Sequence, residues 1–142
     1  MTINNDKELK QILQAIRTVA SVGVSSNEEK PSYGIFYYLM EHGYQMIPVN
    51  PTASEILGLK VYPDLITIPQ KIDVVQVFRK SEDVPPIVNA AIRIGAKIIW
   101  MQKGIVNEDA ARTGEAAGLK VVMNRCMMET HQRLLSGFHL SA

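Results

Sequence analysis

The sequence runs to 142 residues, 46% of them apolar and 20% charged, with a formal net charge of +1. That length fits one domain, able to bury about two-thirds of the surface its unfolded chain exposes, and the near-neutral charge gives no bulk electrostatic basis for holding nucleic acid or an anionic membrane. A single cysteine, Cys126, excludes an internal disulfide and fits a reducing cytoplasm.

The opening stretch MTINNDKELK is polar, with no apolar core of a signal peptide, and no apolar run approaches the roughly 18 residues of a membrane-spanning helix. Residues 6–17 carry Leu9, Ile12, Leu13 and Ile16 at helical spacing. TVASVGV (18–24) reads as a first strand, buried on both faces. A turn with two serines and Lys30 leads into a helix over 31–43, whose face is Ile35, Phe36, Leu39 and Met40. The helix stops at Gly43, and YQMIPVN supplies a second strand. Residues 50–72 break this rhythm, with three of the seven prolines. They predict a long functional loop, holding a short extra strand around Lys60–Tyr62 and a turn of helix near 64–68. DVVQVF (73–78) is a third strand, and 83–94 is a helix with Val84, Ile87, Val88, Ala91 and Ile92 on one face. Gly95 ends it before the fourth strand, AKIIWM. Asn107 is placed to cap a helix over 108–117, with Ala110, Ala111, Gly114 and Ala117 on its small-residue side. After Gly118 comes a fifth strand, LKVVMN, and then a last helix over 127–135 carrying Met127, Met128, His131, Leu134 and Leu135.

Helices and strands that alternate in this way imply an α/β fold with a parallel sheet covered on both faces. The expectation is one domain over 1–142, a Rossmann-like three-layer sandwich with five strands in the order 3-2-1-4-5. Ligands of such sheets bind outside the carboxyl ends of the strands, here at a switch between the first and fourth. Those ends carry Gly23, Ser25, Ser26 and Lys30 after the first strand, and Asn50 and Pro51 after the second. Phe78, Arg79 and Lys80 follow the third; Gln102, Lys103 and Gly104 follow the fourth; Asn124, Arg125 and Cys126 follow the fifth. Five cations on this rim (Lys30, Arg79, Lys80, Lys103 and Arg125), beside a helix N-terminus, predict an anion site, most simply for phosphate.

The dinucleotide fingerprint asks for an acid at the end of the second strand and for two further glycines after the first. Here the strand ends in PVNP, and only Gly23 is present, which speaks against NAD. No G-x-x-x-x-G-K-[ST] occurs, so a P-loop is excluded. The three histidines are scattered: His42 at a helix C-terminus, His131 on the last helix and His139 in the tail. Neither a metal-ligand spacing nor a catalytic acid–base pair can be assembled from these residues. Cys126 has two readings. It packs as a small apolar side chain at a strand–helix junction, or it is a reactive thiol at a helix start beside Arg125. Met123, Met127 and Met128, with Tyr62 and Trp100, read as packing residues.

Five segments in order carry a family resemblance: VGVSSNEEKPSYGIFYYLMEHGY, IPVNP, GLKVYPDL, VVQVFR, and GAKIIWMQKGIVNEDAA followed by AGLKVVMNRC. Together they resemble the small stand-alone CoA-binding proteins, relatives of the CoA-binding domain of the succinyl-CoA synthetase α subunit, over about residues 10–135. The resemblance implies coenzyme A as ligand. Gly23, Ser25 and Ser26 would cradle the pyrophosphate and Lys30 would neutralise it. Asn50 and Pro51 would lie beside the adenosine, with Phe78 and Arg79 flanking the adenine and the 3′-phosphoribose. Gln102 and Gly104 would line the pantetheine path, and Asn124 and Cys126 would stand near the thiol end. Two departures are visible: the first turn has fewer glycines than the synthetase, and a lysine shortly after the second strand is missing from NPTASE. The phosphorylated histidine and the nucleotide-binding subunit of the synthetase lie outside the matching domain. The implied function is therefore binding of CoA or an acyl-CoA by a non-catalytic module in the cytoplasm, with no nucleic-acid or membrane partner. A protein partner or homodimer stays open. The alternative is an enzyme, of the NAD(P)-type or as a component of an acyl-CoA or thiol-exchange reaction.

Overall fold

The structure is a computed structural model that describes residues 2–135; His139 lies outside the described residues. Among the described residues there are five α-helices: α1 (Asp6–Ala15), α2 (Pro31–Glu41), α3 (Val84–Arg93), α4 (Glu108–Ala116) and α5 (Met127–Leu135). The same residues form seven strands: β1 (Thr18–Val22), β2 (Gln45–Val49), β3 (Glu55–Ile56), β4 (Leu59–Lys60), β5 (Val74–Val77), β6 (Ile98–Met101) and β7 (Lys120–Val122). Local chemistry sets the boundaries. Asn5 caps α1, accepting the Glu8 N–H at 2.9 Å while its own amide donates to the Glu8 carboxylate. Asn107 caps α4 as its position predicts, accepting the Ala110 N–H at 2.9 Å. Prolines open α2 and α3, where a missing N–H costs nothing. Gly43, Gly95 and Gly118 follow α2, α3 and α4 with positive φ, as the repeated helix-to-strand pattern requires.

β1, β2, β5, β6 and β7 form one parallel sheet, and β3 pairs with β4 in a small antiparallel hairpin. The five-stranded parallel sheet is as expected, but its order is not. Strand 73–78 was expected outside β2. It pairs instead with the other edge of β1, Val19 to Val74 and Val22 to Val77, so the order is β2-β1-β5-β6-β7. The place outside β2 goes to a single parallel bridge between Val49 and Tyr62, within the 60–62 segment read as an extra strand. The physical reason lies in residues 50–72. They contain no crossover helix, and Leu65, Ile68 and Ile72 fill that role by packing with Ala20, Ile47, Val49 and Val75. The 64–68 segment is a hydrogen-bonded turn, Ile68 N–H to Leu65 O at 3.3 Å, and not a turn of helix.

The sheet has two apolar faces, one packed with residues of α1, α2 and α5 and the other with residues of α3, α4 and the 65–72 loop. This is the three-layer sandwich, and it makes β1 and β5 the pair at which the strand order reverses. The switch therefore joins the ends of β1 and β5 rather than β1 and β6, and it brings Phe78 and Arg79 beside Gly23. At the opposite end of the sheet, Asp73 anchors the start of β1. Its carboxylate accepts the Arg17 and Thr18 N–H groups at 2.8 and 3.1 Å and pairs with Lys97 at 3.4 Å. Burial works to raise this carboxyl, but the two backbone donors and Lys97 outweigh it and hold Asp73 below the usual carboxylate range.

Candidate functional site

The rim of the sheet is built around the turn that follows β1. Gly23 has φ +90° and donates its N–H to Val49 O at 2.9 Å. A Cβ here would lie 2.7 Å from Arg79 Cδ and 3.3 Å from the Phe78 carbonyl carbon. Both the positive φ and the close approach of a neighbouring strand end select glycine. The Arg79 stem crosses Gly23, and its guanidinium stands 3.9 Å from Asp83.

Beyond Gly23 the loop is ordered by its own short side chains. The Ser25 N–H donates to Ser32 Oγ, and Ser25 Oγ accepts the Asn27 N–H, both at 3.0 Å. Asn27 Oδ1 accepts the Glu29 N–H at 2.9 Å. These turns deliver the chain to Lys30, the N-cap of α2. Lys30 makes no side-chain cap and Pro31 has no N–H to satisfy. The positive end of the α2 dipole therefore opens on this loop without a side-chain cap.

Asn50 ties the loop to β2: its amide donates to Val24 O at 2.9 Å, and its Oδ1 accepts both the N–H and the hydroxyl of Thr52 at 2.8 Å. Its polar groups are engaged in joining two loops.

Three clefts open along the rim. The first, about 350 Å³, lies among Gly23, Pro51, Pro63, Asp64, Arg79 and Pro86. The second, about 420 Å³, lies among Ser32, Ile35, Phe78, Gln102, Lys103 and Cys126. The third, about 290 Å³, shares Lys103, Cys126 and Glu129 with the second and adds Asn124, Arg125 and Arg133. The predicted residues thus divide. Gly23, Pro51 and Arg79 meet in the first cleft, Phe78, Gln102 and Cys126 in the second, and Asn124 joins Cys126 in the third. Phe78 and Arg79, read as flanking the adenine and the 3′-phosphoribose, line different clefts. Gly104 is held beside Asn124, its N–H donating to Asn124 Oδ1 at 2.7 Å. Ser26 and Lys30 are exposed on the loop and line none of these clefts.

Cys126 is 6% exposed, at the junction of the second and third clefts. The Arg125 guanidinium beside it donates to Asn4 O at 3.0 Å, so it is turned to the N-terminal segment. The other cations of the third cleft are also engaged: Lys103 stands 3.5 Å from Glu129, and Arg133 2.9 Å from Asp6. The hydrogen bond from Arg133 holds the Asp6 carboxyl below its ordinary range. Of the histidines, His131 is fully buried with Nδ1 2.8 Å from the Tyr38 hydroxyl, and the His42 ring stacks on Tyr38 at 4.0 Å. Burial raises the pKa of the Tyr38 hydroxyl, so it stays protonated. Among the described residues no group of three His, Cys, Asp or Glu could hold a metal ion, and no helix is long and apolar enough to cross a membrane.

Sequence reasoning missed several residues. Ser32 orders the first turn. Ser21 and Gln76 are buried polar side chains in apolar strands, and the only signal for them was one polar letter inside TVASV and VVQV. Asp64 entered the first cleft unannounced. A groove of about 540 Å³, larger than any of the three rim clefts, lies at the other end of the sheet, among Ile12, Ile92, Gly95, Lys97, Gly118 and Lys120. It faces the amino ends of the strands, where open parallel sheets do not bind their ligands, and size alone does not make it the site.

Comparison with known proteins identifies the family of the chain. Residues 17–132 match the family of the CoA binding domain. The chain is 37% identical over 124 residues to the Bacillus subtilis protein YneT, covering 87% of this chain and 92% of that one. A solved structure, a hypothetical protein from Pyrococcus horikoshii OT3, superposes with a TM-score of 0.92 at 40% identity, over 96% of this chain and 97% of the other. Over 83 residues the chain is also 32% identical to an ADP-forming acetate–CoA ligase II of Archaeoglobus fulgidus, covering 57% of this chain and only 12% of the ligase. On the match over residues 17–132 and the 37% identity to the Bacillus protein across most of both chains, this chain belongs to the CoA-binding domain family.

Proposed function

We propose that this protein binds coenzyme A, or an acyl-CoA, along the carboxyl rim of its sheet and performs no turnover of its own. The observation that carries the reading is the family match over residues 17–132; the rim is our choice of place, because open parallel sheets bind ligands at their carboxyl ends and clefts open there on both sides of the Gly23 turn. In this reading the adenosine end enters the first cleft beside Pro51, with Asn50 holding the wall behind it and Arg79 over it. The pyrophosphate meets Gly23, Ser25 and Ser26 at the open end of α2, and Lys30 supplies a positive charge. The pantetheine follows the second cleft past Phe78, Gln102 and Gly104, and its thiol arrives near Asn124 and Cys126.

Support for a binding module comes from the rim's acids. Asp83 faces Arg79, Glu129 faces Lys103 and Asp64 accepts the Thr67 N–H, so each of these three has a local partner. His42 and His131 pack with Tyr38 between helices. The acetate–CoA ligases share only the portion this chain spans, so their ligase activity is not carried over. Nothing in the comparisons supports the NAD(P) alternative, and the end of β2 carries Asn50, engaged with Val24 and Thr52, where the ribose-binding acid would stand. The single free cysteine accords with action in a reducing cytoplasm. Isothermal titration with CoA, the fragment 3′-phospho-ADP and NADH tests this. CoA should bind most tightly, the fragment more weakly and NADH not at all. Saturable NADH binding with no CoA heat would overturn the proposal.

A further inference from the structure

Three buried polar side chains, Ser21 on β1, Gln76 on β5 and Gln102 just past β6, form a hydrogen-bonded line that ends on α5. Ser21 and Gln76 are 0% exposed and Gln102 is 4% exposed. The Ser21 hydroxyl donates to Gln76 Oε1 at 2.9 Å, and Gln76 Nε2 donates to Gln102 Oε1 at 3.2 Å. The same Gln102 oxygen accepts the backbone N–H of Met127, the first residue of α5, at 2.9 Å. A backbone N–H can only donate, and this fixes the sense of the line. Gln102 must present its oxygen, Gln76 must then give its amide nitrogen, and the Gln76 oxygen is left to take the Ser21 proton. Beside it, Trp100 Nε1 donates to Arg125 O at 2.9 Å. Cys126 is thus held between two bonds from the end of β6, one on each neighbouring residue.

Buried amides in an apolar layer are costly unless every group is paired, and apolar residues of similar size would fill the same space. What the amides add is direction: they hold the start of α5 at one height above the sheet. We propose that Ser21, Gln76 and Gln102 are positioning residues, which set where Cys126 and the first turn of α5 stand against the thiol end of the ligand. The inference rests on the reading that CoA lies along this rim. Gln102 lines the second cleft and would touch the pantetheine, whereas Gln76 is wholly enclosed and can act only through Gln102 and α5.

Gln76→Met isolates that indirect action, since it keeps the volume and removes the amide. Binding of CoA should weaken roughly fivefold, the scale of one net hydrogen bond, while 3′-phospho-ADP, which lacks the pantetheine, binds as in the wild type. Alkylation of Cys126 by iodoacetamide should speed up in the same variant. Ser21→Ala, which deletes one hydroxyl, should move both readouts in the same direction by less, and it guards against loss of fold at position 76. If CoA and 3′-phospho-ADP weaken together, or if CoA affinity and the Cys126 rate both stay at wild-type values, the line only stabilises the fold and the inference is wrong. If the wild-type protein binds no CoA, it is the proposed function that fails.

Discussion

Gly23→Ala probes the place where sheet order and ligand site meet. At φ +90° an alanine carries backbone strain of about 1–2 kcal/mol. Its Cβ would also lie 2.7 Å from Arg79 Cδ and 3.3 Å from the Phe78 carbonyl carbon. The arginine stem is flexible and swings aside cheaply, but the Phe78 backbone must give by a few tenths of an ångström. Together these place the destabilisation at about 2–3 kcal/mol, or a fall in Tm of about 4–10 °C for a domain of this size. Gly118→Ala is the matched control: φ is +95°, no atom lies within 4 Å of the added Cβ, and the residue sits at the other end of the sheet. It should cost the strain alone, about 1–2 kcal/mol. Thermal unfolding followed by circular dichroism measures both, and calorimetric titration with CoA separates them further. Gly23→Ala should weaken CoA because Arg79 is displaced and the backbone no longer allows close approach, whereas Gly118→Ala should bind as the wild type. Equal losses of affinity in the two variants, or wild-type affinity in Gly23→Ala, would refute the reasoning.

Lys30→Ala should weaken CoA by about 1.5 kcal/mol, the lower end for a charge-assisted bond because Lys30 is exposed; titration with adenosine should show no change, and an equal loss for both ligands would mean that the lysine supports the fold. Asp73 lies below its ordinary value of 3.8, so its contribution to stability is fully present above that pH and fades as pH falls through the lowered value. Urea unfolding should therefore show Asp73→Asn less stable than wild type at pH 7 and the gap closing towards pH 3; a gap that stays constant would assign the loss to packing. Cys126, 6% exposed, should react with a disulfide reagent far more slowly in the folded protein than in urea, and bound CoA should slow it again. Equal rates folded and unfolded would place the thiol at the surface.

The parts of the fold that could be read from the sequence are those written in local chemistry. Asn107 before a small-residue helix, prolines at helix starts and glycine after each of three helices specify boundaries through the few residues around them. The strand order could not be read that way. Whether 73–78 pairs with β1 or lies outside β2 depends on how residues 50–72 cross the sheet, and their proline-broken pattern shows no crossover helix to give the direction. Leu65, Ile68 and Ile72 do the work of that helix from an irregular loop, which leaves no period to detect. On the rim, Gly23 and the cations were legible by type and place, although Lys30 and Lys80 line none of the three clefts. Ser32, Ser21 and Gln76 were not, because each acts through a partner that only the folded chain brings to it: Ser32 meets Ser25 across the first turn, while Ser21 and Gln76 meet across 55 positions. Asn50 was legible as a rim residue, but its use as a tie between two loops appears only when Val24 and Thr52 are in place.

The most direct measurement is a map of backbone amide shifts by NMR as unlabelled CoA is added to the nitrogen-15-labelled protein. Binding along the carboxyl rim predicts the largest shifts at Gly23, Ser25, Ser26, Lys30, Arg79, Gln102, Gly104 and Cys126, with Gly95, Lys97, Gly118 and Lys120 unmoved. Shifts concentrated on those last four, around the larger groove at the amino ends of the strands, or no saturable shifts anywhere, would contradict it.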